Sequence, residues 1–182
     1  MFFPPCLWVQ SNYTLATNKS QPSSSTIFPF CFCCFCQYRL LEIIQRGGFL
    51  LPVWNPWHGC TKYSAGCQNC YVYRIDATHG HNSTTVQKTA AFSLPMQRTR
   101  GGTLKLQPTG EPVYTCLSSD FFLAAADDWR PDIWAMIRFR SDLQFFIITK
   151  RIVRAASCFP PDWGTGYPNV TICCTAENQQ TA

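Results

Sequence analysis

The sequence predicts an α/β fold, an incomplete parallel (βα) barrel that stops after about three strands. Three observations predict it. Short apolar segments alternate with a helical pattern over residues 112–175. Each apolar segment turns polar at its C-terminal end. The segments are continuously apolar, as strands covered on both faces are. Strands alternating with helices imply parallel βαβ units.

The elements follow in order. Pro112–Leu117 reads as a strand. Asp128–Arg140 reads as a helix, with Pro131 in its first turn and Ile133, Trp134 and Ile137 on one face. Gln144–Thr149 is a buried-type strand, Ile152–Ser157 a helical turn, and Asn169–Thr175 a third strand. Upstream, Trp54–Tyr73 is a cysteine loop running into a helix start. Residues 74–111 are polar, with Arg98, Arg100 and Lys105 around Gly101 and Gly102, and read as an excursion with short strands. A full barrel takes about 200–250 residues. The organised part is 54–182, so the chain reads as truncated.

Residues 1–52 differ from the rest. Cys31, Cys33, Cys34 and Cys36 crowd among phenylalanines, and no period appears before Leu40–Ile44. Gly47 and Gly48 end that stretch. The segment is a true extension, a second metal tract, or translated from upstream of the real start. The last is preferred, so residues 1–52 read as a disordered or mis-called extension and 53–182 as a partial domain.

Composition narrows the function classes. The net charge of +5 is mild and does not argue for nucleic acid. Residues Lys88–Lys105 lack the interleaved aromatics that stack on bases. The N-terminus lacks the basic and apolar regions of a secretory signal. The run Ile27–Cys36 contains Pro29 and is far shorter than the ~20 residues of a membrane span. Twelve cysteines in such a chain read as metal ligands of a cytoplasmic protein rather than as a disulfide framework.

Cys60, Cys67 and Cys70 form a Cys-x6-Cys-x2-Cys motif. Three thiolates fit three irons of a four-iron cluster and leave the fourth iron open to an outside ligand. Gly59 and Gly66 let the loop wrap closely. A zinc site is the rival, with His58 completing a Cys3His set, though His58 stands closer to Cys60 than zinc ligands usually do. The four cysteines at 31–36 are too tightly packed to make a good second site.

In a parallel barrel the chemistry sits at the C-terminal strand ends. Ser118, Ser119 and Asp120 follow the first predicted strand. Thr149, Lys150 and Arg151 follow the second, and Thr175, Glu177 and Asn178 the third. Lys150 or Arg151 could hold a carboxylate or phosphate as a cation at a strand mouth, and Asp120 and Lys150 are the preferred catalytic candidates. The plain alternative is that such loops are polar anyway and that Ser and Asp cap helices. Cys116, Cys173 and Cys174 read as small apolar fillers. His79 and His81 read as solvated.

Several blocks together carry a resemblance. They are Trp54 to Cys60, Asn69-Cys70-Tyr71, Tyr114 to Phe122, Phe145 to Arg151, and Asn169 to Asn178. In this order they resemble a phage-associated bacterial family of three-Cys-motif proteins of unknown function, which look like divergent radical SAM enzymes. The likeness covers residues 54–180. It implies a radical-SAM-type barrel with a 4Fe–4S cluster on Cys60, Cys67 and Cys70. It further implies that S-adenosylmethionine fills the open iron and is cleaved reductively to a deoxyadenosyl radical, the cofactor doing the hard chemistry. Ser118 and Ser119 are then candidates to bind the ribose or amino group of S-adenosylmethionine, Tyr71 to pack beside the cluster or the adenine, and Glu177 and Asn178 to bind S-adenosylmethionine or substrate. Some members are encoded beside a dedicated partner, which implies a protein partner here. The cysteine spacing departs from the usual Cys-x3-Cys-x2-Cys, a departure the family shares. The alternatives are a non-catalytic zinc or cluster-binding module that recruits a partner, and a gene fragment without function.

Overall fold

A computed structural model describes residues 51–175. The readings made for 1–50, including the Cys31–Cys36 tract, and for Glu177 and Asn178 lie outside the described residues. The strands are β1 (Val53–Trp54), β2 (Trp57–His58), β3 (Gln87–Lys88), β4 (Val113–Thr115), β5 (Phe145–Thr149) and β6 (Val170–Cys174). The helices are α1 (Tyr71–Thr78), α2 (Arg130–Phe139) and α3 (Ala155–Cys158), with short 3-10 turns between elements.

Strands β1, β4, β5 and β6 form one parallel sheet in that spatial order. The expected three strands are therefore four. The additional strand, β1, has only two residues, too few to show a period. Backbone pairing recruits it: Tyr114 donates to the Pro52 carbonyl (2.9 Å) and Cys116 to that of Trp54 (2.9 Å). Among the described residues β1 and β6 are the sheet's edges, and the barrel expected from sequence is not closed there.

The two sheet faces differ, which corrects the expectation that both are fully covered. Along β5, Phe145, Ile147 and Thr149 are buried, while Phe146 and Ile148 are half-buried. The register puts Trp54, Val113 and Thr115 on the buried face with them. Helix α2 supplies Ile133, Trp134 and Ile137 to the same core. Burying apolar surface there is the main source of stability.

Three buried polar side chains fasten the layers. Arg130 donates to the carbonyls of Phe121 (3.0 Å) and Leu123 (2.7 Å), fixing the loop after β4. Arg140 donates to the carbonyls of Pro95 and Leu106, each at 2.7 Å, tying the 74–111 excursion to the end of α2. Asn169 donates to the carbonyls of Ile137 (3.0 Å) and Arg140 (3.2 Å), at the C-terminal end of α2. The excursion carries β3, which pairs antiparallel with β2.

Candidate metal centre

Cys60, Cys67 and Cys70 are free thiols, each half-buried. They lie on the loop between β2 and α1. Gly59 starts the loop with φ +92°, where a side chain is strained, and an added Cβ would overlap the Thr85 carbonyl. Cys60 then donates its N–H to the Ser83 carbonyl at 2.7 Å. Cys67 sits within the 3-10 turn Ala65–Asn69, and Cys70 ends that turn and serves as the N-cap residue of α1. The N-terminus of a helix favours negative charge, such as a thiolate.

Tyr73 stands three residues into α1 and ties the thiols into one neighbourhood. Its hydroxyl donates to the Cys60 carbonyl. Burial, then the charges of Cys60, Cys70 and Cys67, push its phenol above its usual range. Burial likewise pushes Tyr71 up to about 12, with Cys70 adding to it. The Tyr71 hydroxyl donates to the Leu117 carbonyl and so joins α1 to the loop after β4.

The thiols have different environments. Burial pushes Cys60 up, against the pull of the Arg151 guanidinium. Burial also pushes Cys67 up, but hydrogen bonds from Ser64 and the loop backbone, with the Lys150 charge, outweigh it and leave Cys67 lowered. Ser64 Oγ lies 3.5 Å from Cys67 Sγ.

Of the residues predicted at strand ends, Ser118, Ser119 and Arg151 hydrogen-bond this loop or the β2 strand before it. Ser119 Oγ donates to the Gly59 carbonyl (2.5 Å) and Ser118 Oγ to that of Trp57 (3.5 Å). The Ser118 N–H donates to Asn55 Oδ1 at 3.2 Å. Asp120 is buried. Its Oδ1 accepts from the Phe122 N–H (2.9 Å) and Thr149 Oγ1 (2.8 Å), and its Oδ2 from the Lys150 N–H (3.0 Å). Asp120 thus locks the β4 and β5 ends together and sets the backbone that carries Lys150. Cys116, immediately after β4, is buried with φ 63°, a left-handed conformation rare outside glycine. It is the strained point of the same loop.

Arg151 is a central member that sequence reading offered only beside Lys150. Its Nη2 donates to Thr61 O (2.6 Å) and Thr61 Oγ1 (3.0 Å), and its guanidinium lies 4.8 Å from the Tyr63 ring centroid. Tyr73 was missed, though its spacing from Cys70 already puts it near that residue on a helix. The buried partners of His58, which sequence reading offered only as a zinc ligand, were missed as well. His58 Nε2 donates to both oxygens of buried Asp76 (3.0 and 2.9 Å), which also accepts from Ser83 Oγ at 2.5 Å. His58 is therefore committed to Asp76, the buried acceptor at its side. An open cavity of about 290 Å³ lined by His58, Gly80, His81, Asn82, Thr85 and Gln87 adjoins this pair and includes none of the three cysteines.

Among the described residues, no three His, Cys, Asp or Glu side chains converge on a single metal-ion position. No helix of the described residues is long and apolar enough to cross a membrane. No curated protein and no solved structure matches the chain. A family model described as a protein of unknown function, DUF5131, matches residues 49–182, most of the chain and all of the cysteine loop. The chain belongs to the DUF5131 family of proteins of unknown function.

Proposed function

We propose that this chain is an iron–sulfur protein related to radical SAM enzymes, with a 4Fe–4S cluster on Cys60, Cys67 and Cys70. One observation carries the reading: three free thiols on one loop share the neighbourhood of Tyr73 at the C-terminal edge of a parallel sheet. The donor set suits a cluster better than a single ion. A mononuclear zinc site takes four ligands, and His58, the candidate for the fourth, is hydrogen-bonded to Asp76 instead. In a cluster each cysteine meets its own iron, so the thiols stand apart. When bound, the cluster would supply a low-potential electron and an open iron for S-adenosylmethionine.

The chain's own residues have the remaining roles. Ser118 and Ser119 hold the cysteine loop through their hydroxyls and keep acceptor lone pairs for the ribose or amino group of S-adenosylmethionine. Tyr71 buttresses α1 beside Cys70. Asp120 acts as a positioning residue through the Lys150 N–H, and Lys150 is the cation offered to a carboxylate. Glu177 and Asn178 belong to the same reading as binding residues. The parallel sheet is part of a radical-SAM-type barrel, and the protein works in the reducing cytoplasm, where free thiols persist. The phage association and a dedicated protein partner complete the proposal.

The test is anaerobic reconstitution of the full chain with iron and sulfide, followed by metal analysis and electron paramagnetic resonance. About four irons per chain are expected. Replacing Cys60, Cys67 and Cys70 together with Ala should abolish them, and deoxyadenosine release would then establish the radical chemistry. One zinc and no iron would favour a binding module that recruits a partner instead.

A further inference from the structure

Among the described residues, Arg151 has a buried donor without a partner. The residue is 8 % exposed, and its Nε meets no acceptor although Nη2 makes two hydrogen bonds to Thr61. A buried N–H left unpaired is costly and rare in folded proteins, so such a group calls for an acceptor that arrives later. The surroundings identify it. The Thr61 carbonyl that accepts from Arg151 Nη2 at 2.6 Å also accepts from the Cys60 thiol at 3.3 Å. Guanidinium and sulfur therefore flank one oxygen. Tyr63 covers the guanidinium at 4.8 Å, and the Arg151 N–H, bonded to Thr149 Oγ1 at 2.8 Å, anchors its backbone to the end of β5. The side chain is thus held by Thr61 and Tyr63, and its Nε–H is buried with no acceptor.

We propose that Arg151 is a positioning residue whose Nε–H donates to the Cys60 sulfur, or to a cluster sulfide beside it, once that sulfur is bound to iron. This rests on the cluster reading above. Binding iron removes the Cys60 S–H, which ends its bond to Thr61 and leaves the sulfur purely an acceptor. A donor and a fixed positive charge beside a cluster sulfur favour the reduced, more negative cluster, since hydrogen bonds to the sulfurs help set the potential. Arg151 accordingly raises the reduction potential of the site. Arg suits this role where Lys does not, because one planar fork bonds Thr61 and aims a second N–H elsewhere.

The test compares the reconstituted full chain with Arg151→Lys and Arg151→Gln. Redox titration followed by electron paramagnetic resonance gives the potential, and hyperfine spectroscopy after exchange into deuterated water detects the N–H. The expected result is unchanged iron content with a potential shifted to more negative values in both variants, further in Arg151→Gln, and loss of one exchangeable-proton coupling in each. Arg151→Lys keeps the charge, so it serves if Arg151→Gln fails to fold. Iron-loaded variants with the wild-type potential and coupling would overturn the role of Arg151 and leave the cluster reading standing. A wild-type chain that takes up no iron would overturn both.

Discussion

The sheet core and the cysteine loop are held together by different physics. Under α2 the contacts are apolar and many: Phe121, Phe145, Ile133, Ile137 and Ile147 are all essentially fully buried. Around the cysteines the contacts are polar and single. The carbonyls of Trp57, Gly59, Cys60, Thr61 and Leu117 each accept from one side chain elsewhere in the chain. Packing energy is spread over many atoms, whereas a hydrogen bond is worth about 0.5–1.5 kcal/mol and depends on one pair. The loop can therefore be altered contact by contact while the core stays folded, which makes loss of the site separable from loss of the fold.

The largest effect should come from the core. Phe145→Ala removes a ring that is 1 % exposed and 5.7 Å from the ring of Trp54. A loss of about 3–5 kcal/mol is expected, a large share of the stability of a domain this size. Denaturant titration checks it. A loss below about 1 kcal/mol would mean that this core is loosely packed and the contrast with the loop is false.

Next comes the junction of the two regions. Gly59→Ala meets a positive φ and the Thr85 carbonyl, whereas Gly80→Ala meets a positive φ and open space. Both pay about 1–2 kcal/mol for a left-handed backbone. Gly59→Ala should cost clearly more, and it should displace Cys60 from the Ser83 carbonyl. Equal losses from the two variants would show that the loop is not seated against Ser83–Thr85.

The same contrast explains what could be read from sequence. The helix over 128–140 was legible by its apolar period and the strands over 144–149 and 169–175 as short continuous apolar runs, and the structure has α2, β5 and β6 within those bounds. Strand β1 was not, since two residues carry no period and Trp54 is recruited by β4. The half-covered face was also hidden: Phe146 and Ile148 are as apolar as Phe145 and Ile147, and only the layer above decides which pair is buried. At the candidate site the cysteines stood out by spacing. The buried roles of Arg130, Arg140 and Arg151 did not, because each bonds backbone carbonyls, which leave no trace in side-chain identity.

A smaller effect is expected where the loop after β4 meets β5. Asp120→Asn keeps the shape but removes a charge that accepts three hydrogen bonds, and its new NH2 must face one of the donors. Hydrogen bonds to charged groups are worth about 1.5–3 kcal/mol, so a loss of that order is expected. Faster amide hydrogen exchange at Phe122 and Lys150 should accompany it, with core amides of β5 slowed or quickened only through global stability. Protected amides at both positions in the variant would show that Asp120 does not join the strand ends.

The smallest effect is a pH dependence from Asp76, which lies where the loop meets the excursion. Burial pushes its carboxyl up, but hydrogen bonds from Ser83 and His58 outweigh it, and the charges of His58 and His81 add to them, so the folded protein holds it below the usual range. The folded state then binds fewer protons than the unfolded chain, whose carboxyl titrates near ~3.9. Stability from Asp76 is fully present above that pH and is lost as pH falls through the lower, folded value. Asp127, Asp142 and Asp162 are held low as well, so acid weakens the wild-type protein at several places. Asp76→Asn isolates one share of that loss. Urea midpoints for the two proteins should differ most near neutral pH and converge as the solution is acidified below about pH 4. A gap that stays constant down to that range would mean that Asp76 serves His58 and Ser83 by shape alone and that its charge does not seat the loop.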